Sequence, residues 1–378
     1  MISQLNTAKK ILGISRDQGS IQAILPVVAS LREKGCSVDL FVPFSRKVFM
    51  EGQCIEYKLI PEDLSLDTNP ENLNKFLSLK KYDLVLTGSS PKLNKDIFTL
   101  EQILIRAAKQ YRIPSISVLD YWGLYKERFF NSSNKIDESF IPDVICALDK
   151  TSKRDLVDLG IDSYRVKVTH NPWLDRAVKY KLNSTIDTFK IQSNCIKIIF
   201  ASQPLRLFND ENLFNQNVQQ KDLTAICDIL EKLNNYKYEI LVWRHPSERE
   251  EIWKDCLRFN RTNVMVSLND KRSLQLLHSS QLFISYNSTL TYEALHLGVS
   301  SISLIPGSKR TQFYTGKLGL SPSISNYEDL ESFFVNFDLS SQQRTLQQKY
   351  DSLKEDALFF SDGQATHKVL NEIINLLA

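Results

Sequence analysis

Short apolar runs recur along the chain, each followed by a polar turn and a stretch with helical spacing. Residues 10–15 (KILGIS) read as a buried strand. Residues 21–34 then place Ile21, Leu25, Val28 and Leu31 on one helical face and stop at Gly35. The alternation continues with strands at 37–42, 57–60 and 82–87, a helix at 100–111, strands at 115–119 and 144–147, a helix at 151–159 and a strand at 165–169. Continuous apolar strands separated by helices predict a parallel sheet covered on both faces.

A polar stretch of weak periodicity at 179–194 reads as a linker. The pattern then restarts: strand 197–201, helix 222–233, strand 238–243, helix 248–259 and strand 264–267. A helix from Leu274, a strand at 282–284, a small polar loop at 285–289, a second helix and a second strand follow. Later helices are expected at 326–337, 346–356 and 364–377, the last with Val369, Ile373 and Leu377 on one face. The expected organisation is two domains, 1–172 with the helix 364–378, and 190–360.

Composition narrows this picture. A chain of 378 residues can build two cores, and 42% hydrophobic with 24% charged residues is ordinary for a globular protein. A net charge of +3 argues against dedicated nucleic-acid binding and leaves room for a small phosphate-bearing ligand. Six cysteines without a CxxC pair argue against a disulfide framework and a zinc site, and fit a reducing compartment. The start of the chain lacks a signal-peptide pattern, and no run approaches ~18 apolar residues. The expected location is cytoplasmic, with a peripheral contact at the inner face of the membrane compatible.

Candidate chemistry sits where strands end. Ser285, Asn287, Ser288 and Thr289 feed a helix whose backbone N–H groups suit a phosphate. Glu293 lies one turn further, placed for a ribose hydroxyl pair. Trp243-Arg244-His245-Pro246 closes the strand YEILVW, and Gln203 and Arg206 follow strand 197–201, where a guanidinium offers bidentate donors. In the first half, Gly19 is expected to permit a tight turn, Ser20 to cap the helix, and Asp17 to act as base or ligand. Gly88 and Ser89 form a small-residue loop of the kind that borders ligands in doubly wound sheets. Glu101 is expected on a solvated helix surface. Asp120-Tyr121-Trp122 pairs a carboxylate with aromatic faces, which suits a sugar and a hydroxyl to be deprotonated. Without GxGxxG no nicotinamide fingerprint is present. His278, His296 and His367 read as surface or packing residues.

The Ser288, Glu293 and Gly298 spacing resembles the donor-nucleotide site of GT-B nucleotide-sugar enzymes, such as MurG-type glycosyltransferases and hydrolysing UDP-N-acetylglucosamine 2-epimerases. His245-Pro246 resembles the His-Pro motif of bacterial sialyltransferases, in which the His contacts donor phosphate. Val168-Thr169-His170-Asn171-Pro172 resembles a VTGNP junction, with His170 where Gly is usual and a hinge role expected. The resemblance implies a GT-B α/β fold: two Rossmann-like parallel-sheet domains facing an interdomain cleft, with the last helix crossing back to the first.

It further implies a nucleotide-sugar donor held by Gln203, Arg206, Arg244, His245, Pro246, Ser285, Asn287, Ser288, Thr289 and Glu293. Asp17 or Asp120 would serve as catalytic base, with Gly19, Ser20, Gly88, Ser89, Tyr121 and Trp122 lining the acceptor side. No metal and no cofactor is implied, because helix dipoles and basic side chains can stabilise the leaving phosphate. The implied activity is a glycosyltransferase moving a sugar from a UDP- or CMP-linked donor to a glycan or lipid-linked acceptor in surface polysaccharide or lipopolysaccharide synthesis. Two alternatives stand beside it: a nucleotide-sugar epimerase or hydrolase, and a non-catalytic GT-B-like module. Ser15-Arg16-Asp17-Gln18-Gly19 replaces the Gly-Thr-Arg-Pro-Glu start of the 2-epimerases, and Arg310-Thr311-Gln312 lacks their Glu. Those departures argue against a 2-epimerase.

Overall fold

The computed structural model describes residues 9–60, 81–92, 98–131, 133, 135–184, 195–203, 218–245, 248, 250–269, 271–286, 288–305, 314–355, 359 and 361–378. The chain forms two units, Met1–Arg176 with Asp356–Ala378, and Ala177–Glu355.

The first unit holds β1 (Lys10–Ile14), β2 (Ser37–Pro43), β3 (Lys58–Ile60), β4 (Leu84–Thr87), β5 (Ser115–Val118), β6 (Val144–Ala147) and β7 (Val166–Val168). Their order is β3-β2-β1-β4-β5-β6-β7, with every neighbouring pair parallel. Its helices are α1 (Gln18–Glu33), α2 (Lys47–Glu51), α3 (Leu100–Gln110), α4 (Tyr125–Phe129) and α5 (Lys150–Asp158). Local chemistry sets their ends. Thr99 with Gln102 and Asp149 with Ser152 form capping boxes at α3 and α5. Gly35, at φ 84°, closes the turn after α1.

Helix α6 (Asp175–Asn183) leads into the second unit, whose strands are β8 (Cys195–Ala201), β9 (Lys237–Trp243), β10 (Val264–Leu268), β11 (Leu282–Ser285), β12 (Ser300–Leu304) and β13 (Ser323–Ile324). The order β10-β9-β8-β11-β12-β13 is again all parallel. Its further helices are α7 (Val218–Leu233), α8 (Leu274–His278), α9 (Leu290–Leu297), α10 (Tyr314–Lys317), α11 (Tyr327–Val335) and α12 (Leu339–Glu355). The chain ends in α13 (Ala365–Leu377), which belongs to the first unit.

Val369, Leu370 and Ile373 of α13 join Ile21, Leu25 and Val28 of α1 in one core. Each such side chain contributes about 1.5–3 kcal/mol by leaving water. The Asp175 carboxylate accepts from Ala365 N (3.0 Å) and Thr366 N (2.8 Å), so it satisfies the first amides of α13.

Two expectations change. The helix expected at 248–259 is instead a pair of 3-10 turns, Glu250–Trp253 and Cys256–Phe259. Trp253, Cys256 and Phe259 are all buried at a spacing of three, which a 3-10 turn aligns on one side. Part of the expected linker is helical, because α6 runs through Asn183. Residues 185–194 lie outside the described residues. No helix among the described residues is long and apolar enough to cross a membrane.

Candidate functional site

In each sheet the chain works outward from one central strand, then returns to its other side. The reversal falls between β1 and β4 in the first unit and between β8 and β11 in the second. Loops leaving the carboxyl ends of such a strand pair diverge and leave room for a ligand. Ile14 pairs with Thr87 and Ala201 with Ser285, so those strand ends lie level.

In the first unit the loops carry Ser15, Arg16 and Asp17 after β1, Gly88, Ser89 and Ser90 after β4, and Asp120 to Trp122 after β5. Asp120 Oδ1 accepts from Arg128 Nη1 (2.7 Å) and Ser89 Oγ (3.2 Å). Arg128 is buried, and its Nη1 also donates to the carbonyl and hydroxyl oxygens of Ser89 while Nε reaches Gly123 O. Oδ2 of Asp120 lies beside Gly19, where an added Cβ would come within 2.8 Å of it. The Asp120 backbone is tied too, its carbonyl accepting from Asn171 Nδ2 (3.3 Å). The result is a carboxylate with one oxygen held by a cation and the other beside the start of α1.

Asp17 occupies the N-cap position of α1, and its N–H donates to Ser90 Oγ (3.0 Å). Its carboxylate pairs with Arg16 Nε (3.3 Å), and Arg46 stands at 3.9 Å. Ser20 does not cap the helix. It lies inside the first turn, fully buried, and Asp17 stands at the cap. Gly19 is likewise helical, with its value in the room it leaves for Asp120 rather than in a turn. Gly88 is needed for close approach: a Cβ there would lie 2.8 Å from the Ser20 carbonyl oxygen.

Glu101 overturns the expectation of a solvated surface. It is 2% exposed, and burial pushes its carboxyl group up from the ordinary range, with Asp17 adding to the rise. Trp122 does not offer an open face to a sugar either. Its indole stacks on Phe359 (5.6 Å between centroids) and donates to Asp149 Oδ2 (2.9 Å). Tyr121, edge-on to Trp122 at 6.3 Å, stays partly exposed. His170 adopts φ 66°, the left-handed geometry for which Gly is usual, so the junction turn survives the substitution. Burial holds its imidazole below the ordinary range, with Lys368 adding to the effect.

In the second unit Ser202 and Gln203 follow β8, Arg244 and His245 follow β9, and Tyr286 to Thr289 follow β11. Glu248, absent from the residues singled out by sequence, joins the first two groups. Its Oε1 accepts from Ser202 Oγ (2.6 Å) and Gln219 Nε2 (3.3 Å), and its Oε2 from His245 N (2.9 Å). Arg244 Nη1 donates to the Glu248 carbonyl (3.2 Å), while the Arg244 carbonyl accepts from Arg272 Nη2 (2.6 Å). The buried carboxyl group thus holds the Ser202 hydroxyl and the His245 backbone, while the two guanidinium groups bond the backbone of the same turn, and burial raises the carboxyl's proton affinity. Gln203 contributes its carbonyl, which accepts from Gln219 Nε2 (2.6 Å).

Along α9, Ser288 Oγ accepts from Leu290 N (3.2 Å), and the Ser288 and Thr289 carbonyls accept from Thr291 N and Tyr292 N (both 3.1 Å). The amides expected to be open are therefore internally satisfied from Leu290 onward, and an anion would have to meet earlier ones. Ser285 Oγ is within 2.9 Å of Thr291 Oγ1. Glu293 lies in the first turn, 4% exposed, and Gly298 ends the helix at φ 83°. His296 is a packing residue, its Nδ1 2.6 Å from Tyr292 O. Arg206, Pro246, Asn287 and the basic run at 309–310 lie outside the described residues. No cluster of metal-ligating side chains occurs among the described residues.

Comparison with known proteins places this geometry. Sequence comparison with curated proteins gives no match. Among solved structures, the Neisseria meningitidis UDP-GlcNAc 2-epimerase bound to UDP-GlcNAc is similar at 16% identity, with 97% of this chain and 100% of that one covered and a TM-score of 0.64. The Methanocaldococcus jannaschii UDP-GlcNAc 2-epimerase in complex with UDP-GlcNAc and UDP is similar at 15% identity over 97% and 99%, TM-score 0.62. Acinetobacter baumannii MurG is similar at 13% identity over 97% and 99%, TM-score 0.59. The two parallel-sheet units therefore share the GT-B fold of nucleotide-sugar enzymes. The family model for UDP-N-acetylglucosamine 2-epimerase matches residues 127–374, well over half of the sequence and all of the second unit. The chain belongs to the UDP-N-acetylglucosamine 2-epimerase family.

Proposed function

We propose that this protein binds a UDP-linked N-acetylhexosamine and changes the configuration at C2 of the sugar, or cleaves it from UDP, without a separate acceptor. The observation that carries this reading is the extent of the family match, which includes Arg244, His245, Ser288, Glu293 and Gly298. The second unit would hold the nucleotide diphosphate. Arg244 and Arg272 supply positive charge around the Glu248 turn, and the backbone preceding Leu290 would meet the anion at the positive end of α9.

Inverting C2 balances when its proton passes to a base as the C1–O bond breaks, a C1=C2 double bond forming and UDP leaving with the C–O electron pair. UDP then adds back at C1 as a proton returns to the other face of C2, or water adds at C1 instead. Asp120 suits the base role: Arg128 and Ser89 hold Oδ1, and Oδ2 is left for the proton. Positive groups near the diphosphate favour the departure of UDP as negative charge develops on it.

A glycosyltransferase is the second reading. It is favoured by the Ser15-Arg16-Asp17-Gln18-Gly19 loop, which departs from the 2-epimerase pattern and lies, like Asp120, outside the matched residues. Incubation with UDP-GlcNAc alone, followed by NMR, separates the two. The first reading expects a C2 epimer or free UDP, whereas turnover that appears only after a glycan or lipid-linked acceptor is added would establish the second.

A further inference from the structure

We infer that Glu101 is a positioning residue for the first-unit site, fixing the Arg16–Asp17 turn and, through it, the start of α1 beside Asp120. Acidic residues in the first turn of a helix ordinarily face water, where they complement the positive helix end. Glu101 occupies that position in α3 but turns inward, and the capping box at Thr99 and Gln102 fixes the backbone it hangs from.

Its Oε1 gathers three donors from two loops: Ser90 Oγ at 2.6 Å, Arg16 N at 2.9 Å and Ser15 Oγ at 3.1 Å. Ser90 Oγ in turn accepts from Asp17 N at 3.0 Å. One carboxyl oxygen thus joins the loop after β1 to the loop after β4, and fixes both amides that precede α1. Gly88 allows the two loops to approach this closely, because a Cβ there would run into Ser15 Oγ and Ser20. The second oxygen, Oε2, is buried with no hydrogen-bond partner among the described residues.

This asymmetry has a chemical meaning. A charge would be shared with an oxygen that nothing solvates, whereas a proton on Oε2 leaves Oε1 free to accept all three bonds. Burial and the neighbouring Asp17 both push in that direction. What the site needs is then a fixed acceptor at Oε1 rather than a charge. An amide can replace it, and an alkyl group cannot.

The inference rests on the proposed function only for its kinetic half. Glu101→Ala should speed hydrogen exchange at the Arg16 and Asp17 amides about tenfold or more, with α3 core amides unchanged. On UDP-GlcNAc it should lower kcat about tenfold to a hundredfold with UDP affinity unaltered, because the displaced turn belongs to the unit that does not hold UDP. Glu101→Gln should restore both. Unaltered exchange at Arg16 and Asp17 in the alanine variant would overturn the inference. So would loss of their protection in the glutamine variant, which decides the matter if the alanine variant does not fold. Absence of turnover by the unmodified protein would instead sink the proposed function, and the exchange measurement would still test Glu101.

Discussion

The two units share one topological frame and use it differently. At the β1/β4 reversal the polar groups are carboxyls cross-linked into the scaffold: Asp120 to Arg128 and Ser89, Asp17 to Arg16, Glu101 to three donors. At the β8/β11 reversal the buried Glu248 carboxyl organises backbone and hydroxyl groups, with Arg244 and Arg272 nearby. The first arrangement fixes carboxyl oxygen atoms, and the second brings two guanidinium groups onto the backbone of one turn. A common sheet therefore does not dictate a common chemistry. The loops that leave it do.

The contrast can be broken by removing its organising groups. Arg128→Met leaves the half-buried Asp120 carboxylate without its cation and should cost about 2–4 kcal/mol in urea denaturation. Little change would mean that Asp120 is not held by charge. Gly88→Ala sets a methyl group against the Ser20 carbonyl and should cost about 1–3 kcal/mol, read in the same way. In the second unit, Glu248→Ala strands the buried donors of Ser202 and His245 and should cost about 1–2 kcal/mol. Calorimetry with UDP should show weakened binding in that variant, whereas the same titration of Arg128→Met should not.

The pH response sharpens the comparison with the smallest effects. Burial raises Glu248, so its neutral form favours the fold. Its contribution is complete below the ordinary glutamate range and is lost as pH rises through the raised folded value. Burial lowers His170, so its contribution is complete above the ordinary histidine range and is lost as pH falls through the folded value. Melting temperatures taken across acid to neutral pH should therefore separate two variants. Glu248→Gln should lose less stability than the parent as pH rises. His170→Asn, which tolerates the left-handed backbone, should lose less as pH falls.

Strand positions, the returning helix and Gly298 were legible because apolar period and glycine placement encode them directly. The residues that organise the sites were not. Glu101, Arg128 and Glu248 are charged, and period alone assigns a charged side chain to solvent. Their burial becomes visible only when loops distant in sequence supply the partners, as Ser15, Arg16 and Ser90 do for Glu101. The turns around Trp253, Cys256 and Phe259 were read as one α-helix because a spacing of three also fits part of that period. Asp120 was placed by its position after β5, but Arg128, which holds it, sits within an aromatic run that period reads as loop.

The proposed activity makes the Asp120 carboxylate the base that turns over, without an acceptor, a nucleotide sugar held by the second unit. Proton NMR of UDP-GlcNAc in heavy water, with the unmodified protein and with Asp120→Asn, tests it most directly. Conversion by the unmodified protein is expected, with deuterium at C2 of any epimer, and none by Asp120→Asn despite undiminished UDP binding. Conversion by Asp120→Asn at the parental rate, or a bound UDP-GlcNAc left unchanged by the parent, would contradict it.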